Sequence, residues 1–179
     1  MSLQIRTATN ADCEAVVRVI SAVFDEYSFT WDEGDYHADL YDLEGYYAAQ
    51  GDSFFVAEQD GVVVGTVGLA RYPLLEGVTG QLEEREGFIR VLGTDCSLER
   101  LYVDPNARRS GIGFQLVRHV VDLAKSEART GMELWSDKKF VDAHRLYGKF
   151  GAKVVGDRIC HDPDQSPEWG LIIELAAHT

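Results

Sequence analysis

One run of residues constrains this chain more than any other. It reads Leu98-Glu99-Arg100-Leu101-Tyr102-Val103, then Asp104-Pro105-Asn106, then Ala107-Arg108-Arg109-Ser110-Gly111-Ile112-Gly113. The first six residues form a strand pattern, and Asp104-Pro105-Asn106 stops it. A helix starts at Gly111 or Ile112 and runs to about Arg129. Ile112, Leu116, Val120 and Leu123 form its apolar stripe, widened by Val117, Val121 and Ala124. A helix start offers amides without partners and the positive end of the dipole. Glycine lets the backbone approach an anion closely, and Arg108 and Arg109 add positive charge. Together these make a cradle for a pyrophosphate. The plainer alternative is a strand-to-helix turn whose glycines only permit tight packing.

The rest of the chain supplies a sheet around this corner. Leu3 to Thr7 alternates as a first strand. Asn10 is placed to cap a helix on which Ala15, Val16, Val19, Ile20 and Val23 share a face. Tyr27 to Gln50 is rich in acids and aromatics, with a second helix expected around Tyr36 to Gln50. Ser53 to Gln59 and Val62 to Arg71 read as strands joined by Asp60-Gly61, a tight hairpin pair. Tyr72 to Ser97 is too long for a structureless loop, so an extra hairpin or short helix is expected there. Gly131 ends the long helix, and Met132 to Ser136 is a strand. Val141 to Phe150 is a short helix closed by Gly151. Ala152 to Arg158 and Leu171 to Leu175 are the last strands. Strands and helices alternate among hairpins, which predicts an α/β class with a mixed sheet, residues 1–179 forming a single domain.

Composition excludes several function classes. The formal net charge of −13 disfavours nucleic acid as a partner, because phosphate contacts need clustered Lys and Arg. An acidic surface attracts cations, a basic amine among them. No apolar run is long enough to span a bilayer, so no membrane partner is expected. Met1 to Arg6 is too short and polar for a secretory signal, which points to the cytoplasm. The three cysteines, Cys13, Cys96 and Cys160, are widely spaced and read as reduced thiols rather than a disulfide framework or zinc site. No His/Cys/Asp grouping has metal-ligand spacing, so no metal is expected.

Two other phosphate motifs fail on inspection. A P-loop needs Lys-Ser or Lys-Thr after its second glycine, where Phe114-Gln115 stands. A dinucleotide fingerprint needs a third glycine where Leu116 stands. The run Arg108-x-x-Gly111-x-Gly113 instead resembles the Gln/Arg-x-x-Gly-x-Gly/Ala signature of the GCN5-related N-acetyltransferases (the GNAT family). A second block, Ala143-His144-Arg145-Leu146-Tyr147-Gly148-Lys149-Phe150-Gly151-Ala152, is similar to that family's Ala-x-x-x-Tyr-x-x-x-Gly-Phe helix. The order of elements from Leu3 to Leu175 fits as well.

The resemblance implies a mostly antiparallel central sheet flanked by helices, and acetyl-CoA as co-substrate. It implies that Arg108, Arg109, Ser110, Gly111, Ile112 and Gly113 hold the CoA pyrophosphate. Backbone groups of Leu101 and Val103 would pair with the pantetheine arm at a splay in the sheet, often made by a bulge. Tyr147 would be the general acid that protonates the departing thiolate, since a phenol has a pKa of about 10 and a thiol about 8.5. The amine needs a base. Relatives often carry Glu where Ser97 stands. Glu99, two residues on and on the same strand face, is the candidate; a surface carboxylate paired with a nearby cation is the competing reading. Phe140 stands where relatives often have Asn, leaving Asp137 or Asp142 to cap the helix. Phe29 to Tyr47 and His161 to Trp169 should shape the acceptor site. Trp31 and Tyr36 are candidate substrate-binding residues there, or else helix-packing aromatics. His37 is an alternative base, and His144 lies three residues before Tyr147. His119 reads as surface, and His161 and His178 carry no signal. The implied reaction is direct transfer to a small-molecule or peptide amine in a ternary complex, with a homodimer as a further possibility. The alternative is a non-catalytic acyl-CoA-binding sensor of the same fold.

Overall fold

Phe54, Phe55, Val56 and Ala57 are all buried in one strand, so that strand must be covered on both faces. The computed structural model, which describes residues 2–175, shows how. Phe54 and Val56 enter one apolar cluster, and Phe55 and Ala57 enter another. The strands are β1 (Leu3–Thr7), β2 (Ser53–Gln59), β3 (Val62–Arg71), β4 (Leu82–Arg85), β5 (Phe88–Val91), β6 (Cys96–Val103), β7 (Gly131–Asp137), β8 (Lys153–Ile159) and β9 (Pro167–Glu174). Seven of them form a sheet in the order β1-β2-β3-β6-β7-β9-β8, and β4 and β5 form a separate hairpin. Only β6 and β7 run parallel; every other pairing is antiparallel. The mixed, mostly antiparallel α/β architecture is therefore the one expected.

Helix α1 (Cys13–Tyr27) covers one face through Val16, Val19, Ile20 and Phe24. Helix α3 (Ile112–Ser126) covers the other through Leu116, Val117, Val120, Val121 and Ala124. Each fully buried Leu or Ile on these stripes contributes roughly 1.5–3 kcal/mol by leaving water. Helix α4 (Val141–Gly148) joins the α3 side, with Tyr147 in that cluster.

The segment expected as one helix from Tyr36 to Gln50 is instead broken into three short pieces. A 3-10 turn spans Ala38–Tyr41, α2 covers Leu43–Tyr46, and a second 3-10 turn spans Ala48–Gln50. The break is at Asp42, whose side chain accepts the Gly45 N–H at 3.0 Å and so starts a new helix. Asn10 does not cap α1. Its side chain donates to Asp42 at 2.9 Å and accepts the Glu44 amide at 2.9 Å, while Asp12 accepts the Thr9 amide. Helix α3 ends at Ser126 rather than Arg129, because Ala128 turns left-handed (φ 57°). The last strand begins earlier than expected, at Pro167, because the polar Glu168 is satisfied there by Arg158 at 2.9 Å. The illegible stretch holds the hairpin β4–β5, turned at Glu86-Gly87 with φ of 52° and 84°. Asp60-Gly61 turns β2 into β3 with φ of 51° and 83°, as its sequence demands. Met1 and residues 176–179, His178 among them, lie outside the described residues.

Candidate active site

The site starts from a fault in one strand. Along β3 and β6 the partners run Leu69↔Leu98 and Gly68↔Glu99, then slip to Thr66↔Tyr102. The extra residue on β6 sits at Arg100–Leu101, and Arg100 adopts a left-handed backbone (φ 49°). The Thr66 hydroxyl donates to the Arg100 carbonyl at 2.7 Å and holds the bulge. On its other edge β6 pairs with β7 only at Cys96↔Met132 and Ser97↔Glu133. Beyond Ser97 the two parallel strands part. A cavity of about 1140 Å³ fills the region, with Ser97, Glu99, Leu101, Ser136, Phe140 and Tyr147 among its lining. Val103 is absent from that lining and packs with the α3-side cluster.

Past the end of β6 the chain turns through the glycine corner. Arg109 has φ 63° and Gly111 φ 79°, two left-handed residues within three positions. Glycine takes that conformation without a Cβ penalty. Arg108, Arg109, Ser110 and Gly111 are exposed, and Ile112 points into the core. A Cβ on Gly113 would come within 3.2 Å of Leu146, so glycine there lets α3 and α4 approach. The Gly111 carbonyl accepts from Gln115, but the amides of Gly111, Ile112, Gly113 and Phe114 donate to no group among the described residues. Arg108 pairs with Glu26 of α1 at 2.7 Å, whereas Arg109 makes no ion pair there. None of these residues lines the cavity itself; the corner stands open beyond the end of β6.

Tyr147 and Glu99 reach the same cavity from different elements. Tyr147 projects from α4, is 5% exposed, and its hydroxyl makes no hydrogen bond among the described residues. Burial pushes its phenol above the ordinary range, and neighbouring Tyr102 adds to the shift. Glu99 leaves β6 beside the bulge and accepts from the Ser97 hydroxyl at 2.8 Å. Its side chain is exposed and lines the open cleft. Desolvation holds it above the ordinary carboxylate range, against the pull of the Ser97 hydrogen bond and the Arg100 charge. It forms no salt bridge among the described residues, unlike the surface carboxylate of the competing reading. His144 donates to or accepts from Ser136 at 3.1 Å and so reaches the cavity only through it.

The same fold recurs in solved proteins. The pattern of the Acetyltransferase (GNAT) family matches residues 19–152. This chain belongs to that family. The uncharacterized N-acetyltransferase YjgM of Escherichia coli is 32% identical over 153 residues, covering 84% of this chain and 82% of YjgM. N-acetylaspartate synthetase of Xenopus tropicalis is 32% identical over 119 residues, 66% of this chain, and the match spans only 37% of the synthetase. Among solved structures, a GNAT-family acetyltransferase of Staphylococcus aureus superposes with a TM-score of 0.76 at 20% identity, covering 98% of this chain and all of that one. The protein yncA of Salmonella typhimurium, solved with its cofactor acetyl-CoA, superposes with a TM-score of 0.70 at 18% identity, over 100% of this chain and 97% of yncA.

In this GNAT chain the wall opposite Tyr147 departs from the sequence reading. Tyr36 lines the cavity, with its ring 4.8 Å from the Arg100 guanidinium. Trp31 does not line it. Its ring stacks on His37 at 3.9 Å and its indole N–H donates to the Tyr41 hydroxyl, so it packs behind the wall. His37 is no base for the cleft either: it is fully buried, and burial together with the Arg100 charge lowers its pKa to about 4. Its Nδ1 accepts the Asp32 amide. Phe140 lines the cavity against Tyr27, Phe29 and Tyr102. Neither Asp137 nor Asp142 caps α4: Asp137 accepts the Lys139 amide and Asp142 pairs with Arg145. His119 is half-buried, edge-on to Phe55.

Several cavity residues went unread in the sequence. Asp39 accepts from Arg100 at 2.7 Å and from the Tyr47 hydroxyl at 2.6 Å. Buried Glu133 gathers Arg90, Tyr72, the Val91 amide and the Trp135 indole, and thereby pins the β4–β5 hairpin over the cleft. The four arginines that line the cavity, Arg71, Arg90, Arg100 and Arg158, are each ion-paired. The arginine contacts that complete these groups come from residues 43 and 61 positions away, so no local motif marks them. Cys96 is sealed, with its thiol pushed up to about 12, and burial lifts the Cys160 thiol to about 11. No group of His, Cys, Asp or Glu among the described residues has a metal-holding arrangement, and no helix there is long and apolar enough to cross a membrane.

Proposed function

We propose that this chain transfers an acetyl group from acetyl-CoA to a primary amine, directly, in a ternary complex. The observation that carries the reading is the parting of β6 from β7 with Tyr147 on its border and an unbonded helix start just beyond. In this reading the CoA diphosphate rests on the amides of Gly111 to Gly113 with Arg108 and Arg109. The thioester arm follows the open edge of β6 at Leu101 and Val103, where backbone N–H groups polarise the carbonyl. The amine approaches from the Tyr36 side. Glu99, directly or through water, takes the ammonium proton, because an alkylammonium with a pKa of about 10.4 has no lone pair to attack with. The nitrogen attacks the carbonyl carbon, the C–S bond breaks, Tyr147 gives its proton to the leaving sulfur, and the proton shed by the new amide nitrogen returns to the tyrosine through water.

The charge of the cleft supports an amine that arrives as a cation. Its arginines are neutralised by Glu127, Glu133, Asp39 and Glu168, which leaves Glu99 as a carboxylate outside those pairs. A relative named peptidyl-lysine N-acetyltransferase, YjaB of Salmonella typhimurium, is 34% identical over 49% of this chain and points the same way. The high thiol pKa values of Cys96 and Cys160 favour direct transfer over an acyl-cysteine intermediate. Residues 1–179 are read as one acyltransferase domain working in the cytoplasm, in keeping with three free cysteines. The test is thiol release from acetyl-CoA across a panel of amines. Release that depends on an amine supports the proposal; tight acetyl-CoA binding with no release for any amine contradicts it.

A further inference from the structure

The strained bulge residue is tied by its side chain to the wall at Tyr36 and Asp39, away from the glycine corner. Arg100 is a non-glycine residue at φ 49°, a conformation that side chains with a Cβ rarely hold unless the surroundings fix it. Three contacts fix it. Its Nε and Nη2 straddle the Asp39 carboxylate at 3.1 and 2.7 Å, its Nη2 also donates to the Tyr36 carbonyl at 2.5 Å, and its plane lies over the Tyr36 ring. Asp39 is held in turn by the Tyr47 hydroxyl at 2.6 Å. The Tyr47 ring lies against the Gly68 backbone, directly across the strand pair from Glu99. Asp39 and Tyr47 come from the broken helical segment, 61 and 53 residues before Arg100. The guanidinium and the Asp39 side chain are 13% and 14% exposed, so the pair is shielded from salt. One side chain therefore joins the bulge that opens the sheet to the segment that walls the far side of the cleft.

We infer that Arg100 and Asp39 are positioning residues for the acceptor: the fork between them sets the distance from the Tyr36–Tyr47 wall to Glu99, and so governs amine binding while leaving acetyl-CoA binding alone. The inference rests on the acetyltransferase reading and adds to it two residues and a division of labour. A bidentate Arg–carboxylate pair fixes both distance and orientation, which a lysine in the same place would not.

Glycine at position 100 separates the tie from the bulge, because it accepts positive φ without strain. R100G keeps the bulge and removes the fork; R100G/D39N also removes the carboxylate, so no unpaired charge stays buried. The expected result is that both variants raise KM for the amine by about tenfold, while KM and Kd for acetyl-CoA stay within about twofold of the parent. The double variant should be no worse than R100G, since both lose one interaction. Hydrogen exchange of residues 38–50 should quicken in both. An unchanged amine KM in R100G, or equal losses for amine and acetyl-CoA, would overturn the assignment while the parental enzyme still turns over. A parental enzyme that releases no thiol with any amine would remove the underlying reading and this assignment together. Unchanged exchange in 38–50 would overturn the tie independently of turnover.

Discussion

The glycine corner at Arg108–Gly113, beyond the end of β6, and the wall at Phe29–Gln50, part of which lines the cavity, are built in opposite ways. The corner works through backbone. Its amides are open, its arginines are exposed, and among the described residues one ion pair, Arg108 with Glu26, ties it to another element. The wall works through side chains. Its aromatics Phe29, Trp31, Tyr36 and His37 pack with Phe24 of α1, mostly edge to face, and Arg100 ties it to the strand bulge through the Asp39 carboxylate and the Tyr36 carbonyl and ring. A ligand with an invariant diphosphate suits a backbone grip, because amides at a helix start are supplied by any sequence that turns correctly. An acceptor of particular size and charge needs side chains, and these are brought from segments far apart in the chain.

The largest expected effect is at Tyr147, the proposed general acid on the border of the cavity. Tyr147→Phe should lower kcat by about a hundredfold and leave the Kd for acetyl-CoA unchanged, because the ring stays and only the proton is lost. Full turnover in this variant would remove Tyr147 as the acid and leave it a packing residue of the α3-side core.

A smaller effect, about tenfold on kcat/KM near neutral pH, is expected for Glu99→Gln. Its sign with pH sharpens the contrast. A base must be ionised, so the parental rate should rise with pH through the raised Glu99 pKa, and the variant should lose that limb. Stability should move the other way. The folded chain holds this proton to higher pH than the unfolded chain does. Ionisation of Glu99 therefore lowers stability as pH climbs from about 4.3 through the raised folded value. Thermal unfolding at neutral pH should accordingly show Glu99→Gln more stable than the parent. A variant that is both less stable and unaltered in pH profile would make Glu99 a structural carboxylate.

The smallest effect belongs to the corner. Arg109→Ala should raise KM for acetyl-CoA by about threefold at low salt, and the loss should shrink as salt is added. Arg108→Ala should do less, because Glu26 already holds that guanidinium. If instead both substitutions raise the amine KM, the division between corner and wall fails.

How far each region was legible follows from the same contrast. The β6–α3 corner, the α3 stripe and the α4 block were readable because each depends on residues within one helical turn or one loop. The sheet class followed from alternating strands and the Asp60-Gly61 hairpin. The wall misled because Tyr36 to Gln50 carries helical composition, while the Asp42 cap and the Tyr47–Asp39 contact divide it. Trp31 was open to a substrate-binding or a helix-packing role and His37 to that of an alternative base; their mutual stacking sets both outside the cavity lining. The bulge at Arg100 had no signal, since a positive φ is expected of glycine or asparagine and not of arginine. An extra hairpin or short helix was expected between Tyr72 and Ser97, and the hairpin is there; its turn at Glu86-Gly87 was not marked, with glutamate where asparagine or aspartate usually stands.

The central claim is that an exposed helix start in this chain grips a diphosphate and thereby delivers a thioester to the parted strands. Calorimetric titration with acetyl-CoA and, in parallel, with S-acetylpantetheine, which carries the thioester but no diphosphate, tests it most directly. The account predicts that acetyl-CoA binds at least about a hundredfold more tightly, a difference of about 2.7 kcal/mol. Equal affinities for the two ligands would contradict it.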